Sequence, residues 1–147
     1  MKIKDIMTFG PACCTPENNL QEVARMMLEN DCGEIPVVQN VKNLKPVGVI
    51  TDRDIVCRAV AKGKDALHIT VKDCMSQPCI TVSPELSVED CCKILEKKQI
   101  RRIPVIDEKG ACCGIVSQAD IARHHLKKQI AEVLECVSQP HKGVCIY

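Results

Sequence analysis

Two four-residue stretches carry the side chains best placed for chemistry: Thr51-x-x-Asp54 and Ser117-x-x-Asp120, each a hydroxyl and a carboxylate three residues apart. Each follows an apolar run and opens a segment with helical spacing. That is the pattern of a capping box, in which the hydroxyl accepts from an orphan backbone N–H and the acid accepts in return. The same groups can bind, because a carboxylate can accept both hydrogens of a diol and a helix start offers unpaired N–H groups. Spacing alone favours capping, and the two uses are compatible. Two adjacent cations, Arg101 and Arg102, stand just ahead of Ile103-Pro104, and a solvated turn is the plainest account of them.

The elements that position these residues occur twice. Lys4-Asp-Ile-Met7 returns as Lys72-Asp-Cys-Met75, Thr15-Pro-Glu17 as Ser83-Pro-Glu85, and Ile35-Pro-Val-Val38 as Ile103-Pro-Val-Ile106, all at one offset (72−4, 84−16 and 104−36, each 68). Gly48-Val-Ile-Thr-Asp-Arg-Asp54 matches Gly114-Ile-Val-Ser-Gln-Ala-Asp120 at 66 (114−48), so copy one carries two extra residues in a turn, where an indel is tolerated.

In each copy a strand is expected to stop at the Pro-Glu step. A helix follows, capped by Asn19 with Glu22 or by Ser87 with Asp90. Leu20, Val23, Ala24 and Met27 give one helix an apolar face; Val88, Cys91, Cys92 and Leu95 give the other. Strands at about 35–39 and 47–50 precede a helix from Asp52. The final helix is expected to continue through Ala122-Arg-His-His-Leu-Lys-Lys and on to Val137, and Gln139–Tyr147 to be irregular.

The predicted fold class is α/β (α+β): two tandem β-α-β-β-α repeats packed about a pseudo-twofold axis. Residues 1–62 form repeat one, 63–70 a linker, 71–128 repeat two and 129–147 a C-terminal extension. Each copy leaves an apolar sheet face, and burying both at about 25 cal/mol per Å² argues for a joint core with clefts along its seam.

The doubled pattern of hydrophobic-Pro-Val-hydrophobic, a turn and Gly-h-h-[Ser/Thr]-x-x-Asp resembles a pair of CBS domains, also called a Bateman module, over roughly residues 2–127. The resemblance implies a regulatory sensor that binds AMP, ADP, ATP or S-adenosylmethionine in clefts between copies. It also implies a homodimer acting on a regulated protein. In similar modules the hydroxyl and acid of the motif face the nucleotide's sugar and phosphate, and residues before the h-Pro step reach its phosphates. Arg101 and Arg102 would then join Ser117 and Asp120 in one site, each charge-assisted hydrogen bond contributing about 1.5–3 kcal/mol. The adenine slot of that site would be lined by Ile115 and by Ala12, Cys32 and Gly33. The corresponding lining for Thr51 and Asp54 is Val49, Ile80, Ile100 and Arg101. Copy one has Gly33 and Glu34 in place of the two arginines, so the sites are expected to be unequal, with the Ser117 site the better for phosphates.

Composition excludes several classes. A formal net charge of +1, one Phe, one Tyr and no Trp leave neither a polyanion field nor a stacking platform, so no nucleic-acid role is expected. No apolar run approaches the roughly 20 residues of a membrane span, and no secretory signal opens the chain, so no membrane partner and a cytoplasmic location are expected. No catalytic residues are expected: there is no Ser-His-Asp or Cys-His pattern and no phosphate-cradling G-x-x-x-x-G-K loop.

Twelve cysteines, three pairs of them adjacent, contain no C-x-x-C. They read as small buried hydrophobes in a reducing compartment. No metal site is expected, although Cys136, His141 and Cys145, with His124 and His125, are its least poor candidates. The alternatives to a sensor are a dimerising adaptor with vestigial clefts and a cysteine-based redox or metal-binding protein.

Overall fold

A computed structural model describes residues 1–124 and 127–140. The chain forms two compact units. One, here the N-terminal unit, comprises Pro11–Ile80 with Gly110–Cys112; the other, the C-terminal unit, comprises Met1–Gly10, Thr81–Lys109 and the chain from Cys113.

In the N-terminal unit, α1 (Leu20–Glu29) starts at Asn19, whose side chain accepts from the Glu22 N–H at 2.9 Å while the Glu22 carboxylate accepts from the Asn19 N–H at 3.1 Å. Two orphan donors of the first turn are thereby satisfied, as the sequence predicts. The helix buries Leu20, Val23 and Met27, with Met26 half-buried. Ala24, expected on this face, is exposed, because it lies about 100° round the helix from Val23, the middle of the buried arc.

Strands β2 (Glu34–Val38) and β3 (Pro46–Thr51) follow, named by their place in a five-strand count in which β1 lies in the other unit. They pair antiparallel, with Ile35 opposite Ile50 and Pro36 opposite Val49. β2 is buried at every position. The strand expected before α1 is reduced to a single parallel bridge, Cys14 to Val37, made by Cys14 N–H to Pro36 C=O at 3.0 Å and Val38 N–H to Cys14 C=O at 2.8 Å. Its run ends at once because the Asn18 side chain accepts from the Thr15 N–H at 2.8 Å. α2 (Asp52–Arg58) leads into the connecting segment, which is docked against α1: Leu20 N–H donates to Ile69 C=O at 3.2 Å and Gln21 N–H to Ala66 C=O at 3.3 Å.

The C-terminal unit holds a three-stranded sheet in the order β1 (Thr8–Phe9), β5 (Cys112–Ser117), β4 (Arg102–Ile106). Its antiparallel β1–β5 pair sets Thr8 opposite Ile115 and Phe9 opposite Gly114. The first residues of the chain are tied in here by Ile3 N–H to Leu86 C=O at 2.9 Å. α3 (Val88–Lys98) is capped by Ser87, which accepts from the Asp90 N–H at 3.1 Å, and buries Val88, Cys91, Cys92 and Leu95 as expected. Here too the leading strand is one parallel bridge, Val82 to Val105.

The single long final helix expected from sequence is two helices. α4 (Gln118–Arg123) closes at His124, and α5 (Lys127–Val137) follows, contributing Val133 and Val137 to the core of Ile3, Leu95, Ile103, Val105, Val116 and Ile121. Residues 125–126 and 141–147, including His125, His141 and Cys145, lie outside the described residues.

Candidate functional site

The two Gly-h-h-[Ser/Thr]-x-x-Asp segments are β3 into α2 and β5 into α4. Each glycine is required by a chain passing at close range. A Cβ on Gly48 would lie 2.7 Å from the Ser76 carbonyl oxygen, and one on Gly114 2.5 Å from Met7 Sδ and 3.1 Å from the Thr8 carbonyl oxygen. In both units the neighbouring segment pairs one residue further on, Val49 with Ser76 and Ile115 with Thr8.

Both motifs form complete capping boxes. Thr51 Oγ1 accepts from the Asp54 N–H at 3.0 Å and Asp54 Oδ2 accepts from the Thr51 N–H at 3.0 Å. Ser117 Oγ accepts from the Asp120 N–H at 3.3 Å, and Asp120 Oδ2 accepts from the Ser117 N–H at 2.8 Å and from its hydroxyl at 2.7 Å. Both acids are buried.

What else holds each acid differs sharply. Asp54 accepts from Ser76 Oγ at 3.3 Å on either oxygen and faces the Arg58 guanidinium at 3.5 Å. That same guanidinium donates to the carbonyls of Cys74 and Met75 at 2.8 and 3.0 Å and to Ser76 Oγ at 3.2 Å. Arg58 is thus the centre of a largely buried polar knot, its side chain 23% exposed and that of Asp54 7%. Asp120 Oδ1, by contrast, meets only Arg123 among the described residues, and that arginine is 67% exposed. A carboxylate has about four acceptor positions. Each acid has three donors, a backbone N–H, a hydroxyl and a guanidinium; the difference is that the guanidinium on Asp54 is largely buried and tied to backbone carbonyls, whereas the one on Asp120 is exposed and easily displaced.

Arg101 and Arg102 are joined to the second motif through the backbone: the Gln118 N–H donates to the Arg101 carbonyl at 3.0 Å. The same stitch in the other unit runs from the Asp52 N–H to the Gly33 carbonyl at 3.0 Å. Arg101 is exposed and Arg102 half-buried, and neither guanidinium has a hydrogen bond or ion pair among the described residues. Beside them the Gln118 side-chain oxygen is buried without a partner among the described residues, a state that costs roughly 1–3 kcal/mol.

The structure therefore brings Ser117, Asp120, Arg101, Arg102 and half-buried Ile115 together in the C-terminal unit. Thr51, Asp54, Val49, Gly33, Cys32, Ala12 and Ile80 belong to the N-terminal unit, where Glu34 is buried at the start of β2. A Cβ on Gly33 would lie 2.7 Å from the Asp52 carboxylate, so a side chain here would have to turn that exposed acid aside. Arg58 was readable as an i,i+4 partner of Asp54; Ser76, twenty-two residues away in sequence, was not. Among the described residues no group of three or more His, Cys, Asp or Glu is arranged to hold a metal, and no helix is long and apolar enough to cross a membrane.

The doubled architecture and its motifs find direct counterparts. The CBS domain model matches residues 3–60 and 71–127. The chain belongs to the CBS domain family. It is 36% identical over 129 residues to the CBS domain-containing protein YhcV of Bacillus subtilis, covering 88% of this chain and 89% of that one. It is 33% identical to Hypoxic response protein 1 of Mycobacterium tuberculosis, covering 93% and 94%. Among solved structures, Hypoxic Response Protein I with two coordinated zinc ions superposes with a TM-score of 0.75 at 34% identity, over 84% of this chain and 98% of that one. The CBS domain pair of protein MJ0100, in complex with methylthioadenosine and S-adenosyl-L-methionine, superposes with a TM-score of 0.76 at 27% identity, over 85% and 99%. This is a tandem CBS module.

Proposed function

We propose that this CBS pair is a sensor for a phosphorylated adenosine ligand, AMP, ADP or ATP, that acts through a homodimer on a regulated protein. Ser117 and Asp120 bind the sugar, and Arg101 and Arg102 the phosphates. The observation that carries the reading is the Gln118-to-Arg101 backbone bond, which ties the chain bearing two guanidinium groups without partners among the described residues to the start of the helix that holds Asp120, a carboxylate whose only cation is exposed and displaceable. The buried Gln118 oxygen offers a further acceptor for a ligand N–H or O–H. The bound methylthioadenosine and S-adenosylmethionine in the MJ0100 pair support the adenosine part. The arginines argue for phosphate over S-adenosylmethionine, whose sulfonium they repel. Val56 and Val60, 55% and 62% exposed on and just after α2, support self-association.

Copy one is the weaker site on this reading, because Asp54 is committed to Arg58 and Ser76 and because Glu34 replaces the phosphate-binding arginine.

Thermal unfolding of the reduced protein with AMP, ADP, ATP and S-adenosylmethionine tests the proposal. Ligand at 100 times its Kd adds about 2.7 kcal/mol, which at this chain length raises Tm by several degrees. The expected result is a shift with the nucleotides that exceeds the shift with S-adenosylmethionine. No shift with any of the four, in a protein that is dimeric by light scattering, would leave the adaptor reading standing instead.

A further inference from the structure

Of the eleven cysteines among the described residues, five are buried and six half-buried. Cys13 and Cys112 form a pair of one half-buried and one buried thiol. They lie on chain segments distant in sequence, but the pairing of Phe9 with Gly114 continues through Gly10 N–H to Cys113 C=O at 3.1 Å, which runs the chain leading to Cys13 alongside Cys112, and the two thiols are hydrogen-bonded. Cys13 is half-buried and donates its own S–H to the Pro11 carbonyl at 3.4 Å, whereas Cys112 is only 5% exposed. Neighbouring backbone is pinned on both sides, by Cys14 N–H to Pro36 C=O at 3.0 Å and Cys112 N–H to Leu44 C=O at 2.8 Å. Successive residues of a strand point to opposite faces, so adjacent Cys113 turns away, its thiol donating to the Val105 carbonyl at 3.5 Å.

We propose that Cys13 and Cys112 form a thiol modification site, in which hydrogen peroxide oxidises Cys13 and Cys112 then closes the pair into a disulfide. The Cys13 thiolate attacks one peroxide oxygen; the O–O bond breaks, hydroxide leaves and takes a proton, and Cys13 becomes a sulfenic acid. The Cys112 sulfur attacks the Cys13 sulfur; the S–S bond forms, the S–O bond breaks, and the oxygen leaves as water with the Cys112 proton. Two thiols lose two electrons, and one peroxide becomes two waters.

Exposure and acidity divide these roles between the two thiols. The hydrogen bond from Cys112 holds the Cys13 thiol below its ordinary pKa, against the opposing effects of burial and of neighbouring Cys14. A lowered pKa with partial exposure is the profile of an attacking thiol. Burial pushes Cys14 and Cys91 up to about 12 and Cys92, which also has Glu96, Glu132 and Glu89 nearby, to about 11. Cys79, which also senses Cys112 and Glu34, is raised to about 12 by burial, so it does not compete as the first nucleophile. Buried Cys112 is reached by the sulfur beside it rather than by solvent.

The test uses the full reduced chain, one equivalent of hydrogen peroxide, iodoacetamide to block the remaining thiols, and tryptic mapping without reductant. Peptides 5–25 and 110–123 are expected to be joined first, with fragmentation placing the bond between Cys13 and Cys112 rather than Cys14 or Cys113. Cys112→Val is expected to leave Cys13 as a sulfenic acid trapped by dimedone, and Cys13→Val to abolish the link, circular dichroism serving as the check on folding. A first-formed link between any other pair, or oxidation that spares Cys13 in the unaltered chain, would overturn the proposal.

Discussion

Arg58 offers the sharpest test of how the two copies of one motif came to differ. Replacing it with alanine removes a donor from the carbonyls of Cys74 and Met75 and from Ser76, and strips the buried Asp54 carboxylate of its counter-charge. Hydrogen bonds to a charged group contribute about 1.5–3 kcal/mol each, and removing one partner of a buried pair costs about 3–5 kcal/mol. Water reaching a guanidinium that is 23% exposed discounts both. Arg58→Ala is therefore expected to lose about 2–4 kcal/mol. Arg123→Ala removes the partner of Asp120, but from a side chain that is 67% exposed, and is expected to change stability by no more than about 0.5 kcal/mol. Alanine gains a few tenths in helix propensity at both positions, so the comparison is fair. In urea, with a slope of about 2 kcal/mol/M, the first variant shifts the midpoint down by roughly 1–2 M and the second hardly at all. A loss below about 1 kcal/mol for Arg58→Ala, or equal losses for the two, would refute the polar knot as the source of the asymmetry.

Other outcomes follow from single contacts. Gly48→Ala sets a methyl against a backbone oxygen, whereas Gly114→Ala meets chiefly the mobile end of Met7; chemical denaturation should show a loss of about 1–3 kcal/mol for the first and a smaller one for the second. Glu85 accepts from Lys2 and Lys4, and these hydrogen bonds, with the two charges behind them, hold its carboxyl down at about 2 against an ordinary 4.5. Because the folded value is depressed, the stability this group contributes is present above pH 4.5 and lost as pH falls toward 2; an NMR titration midpoint near 2, moving up in Lys2→Ala, is the expected result.

How much of this was legible in the sequence depended on the range of each interaction. The caps at Asn19, Ser87, Thr51 and Ser117 were readable because a capping box is closed within four residues. The repeat was readable because both copies keep the same punctuation. Ala24 was misplaced because three buried positions define an arc only to within one residue. The leading strands shrank to single bridges because the Asn18 side chain ends the first of them, a local competition that hydrophobic pattern does not reveal. At the site, Glu34 and Gly33 were visible in the sequence as departures from the arginine pair of the other copy. Ser76 and the carbonyls that bind Arg58 did not, since nothing in a local pattern reports which distant backbone a guanidinium will meet. The nearness of Cys13 to Cys112 was likewise hidden, because it is a product of tertiary folding.

The central claim is that Arg101 and Arg102 serve phosphate beside Ser117 and Asp120. Calorimetric titration of AMP, ADP and ATP into the protein and into Arg102→Glu, which installs the residue type found at position 34, tests it most directly. Loss of one charge-assisted bond of about 1.5–3 kcal/mol predicts a roughly 10- to 150-fold weakening, with the nucleotide order of the unaltered protein flattened. Unchanged affinity for all three nucleotides in a folded Arg102→Glu protein would contradict the account.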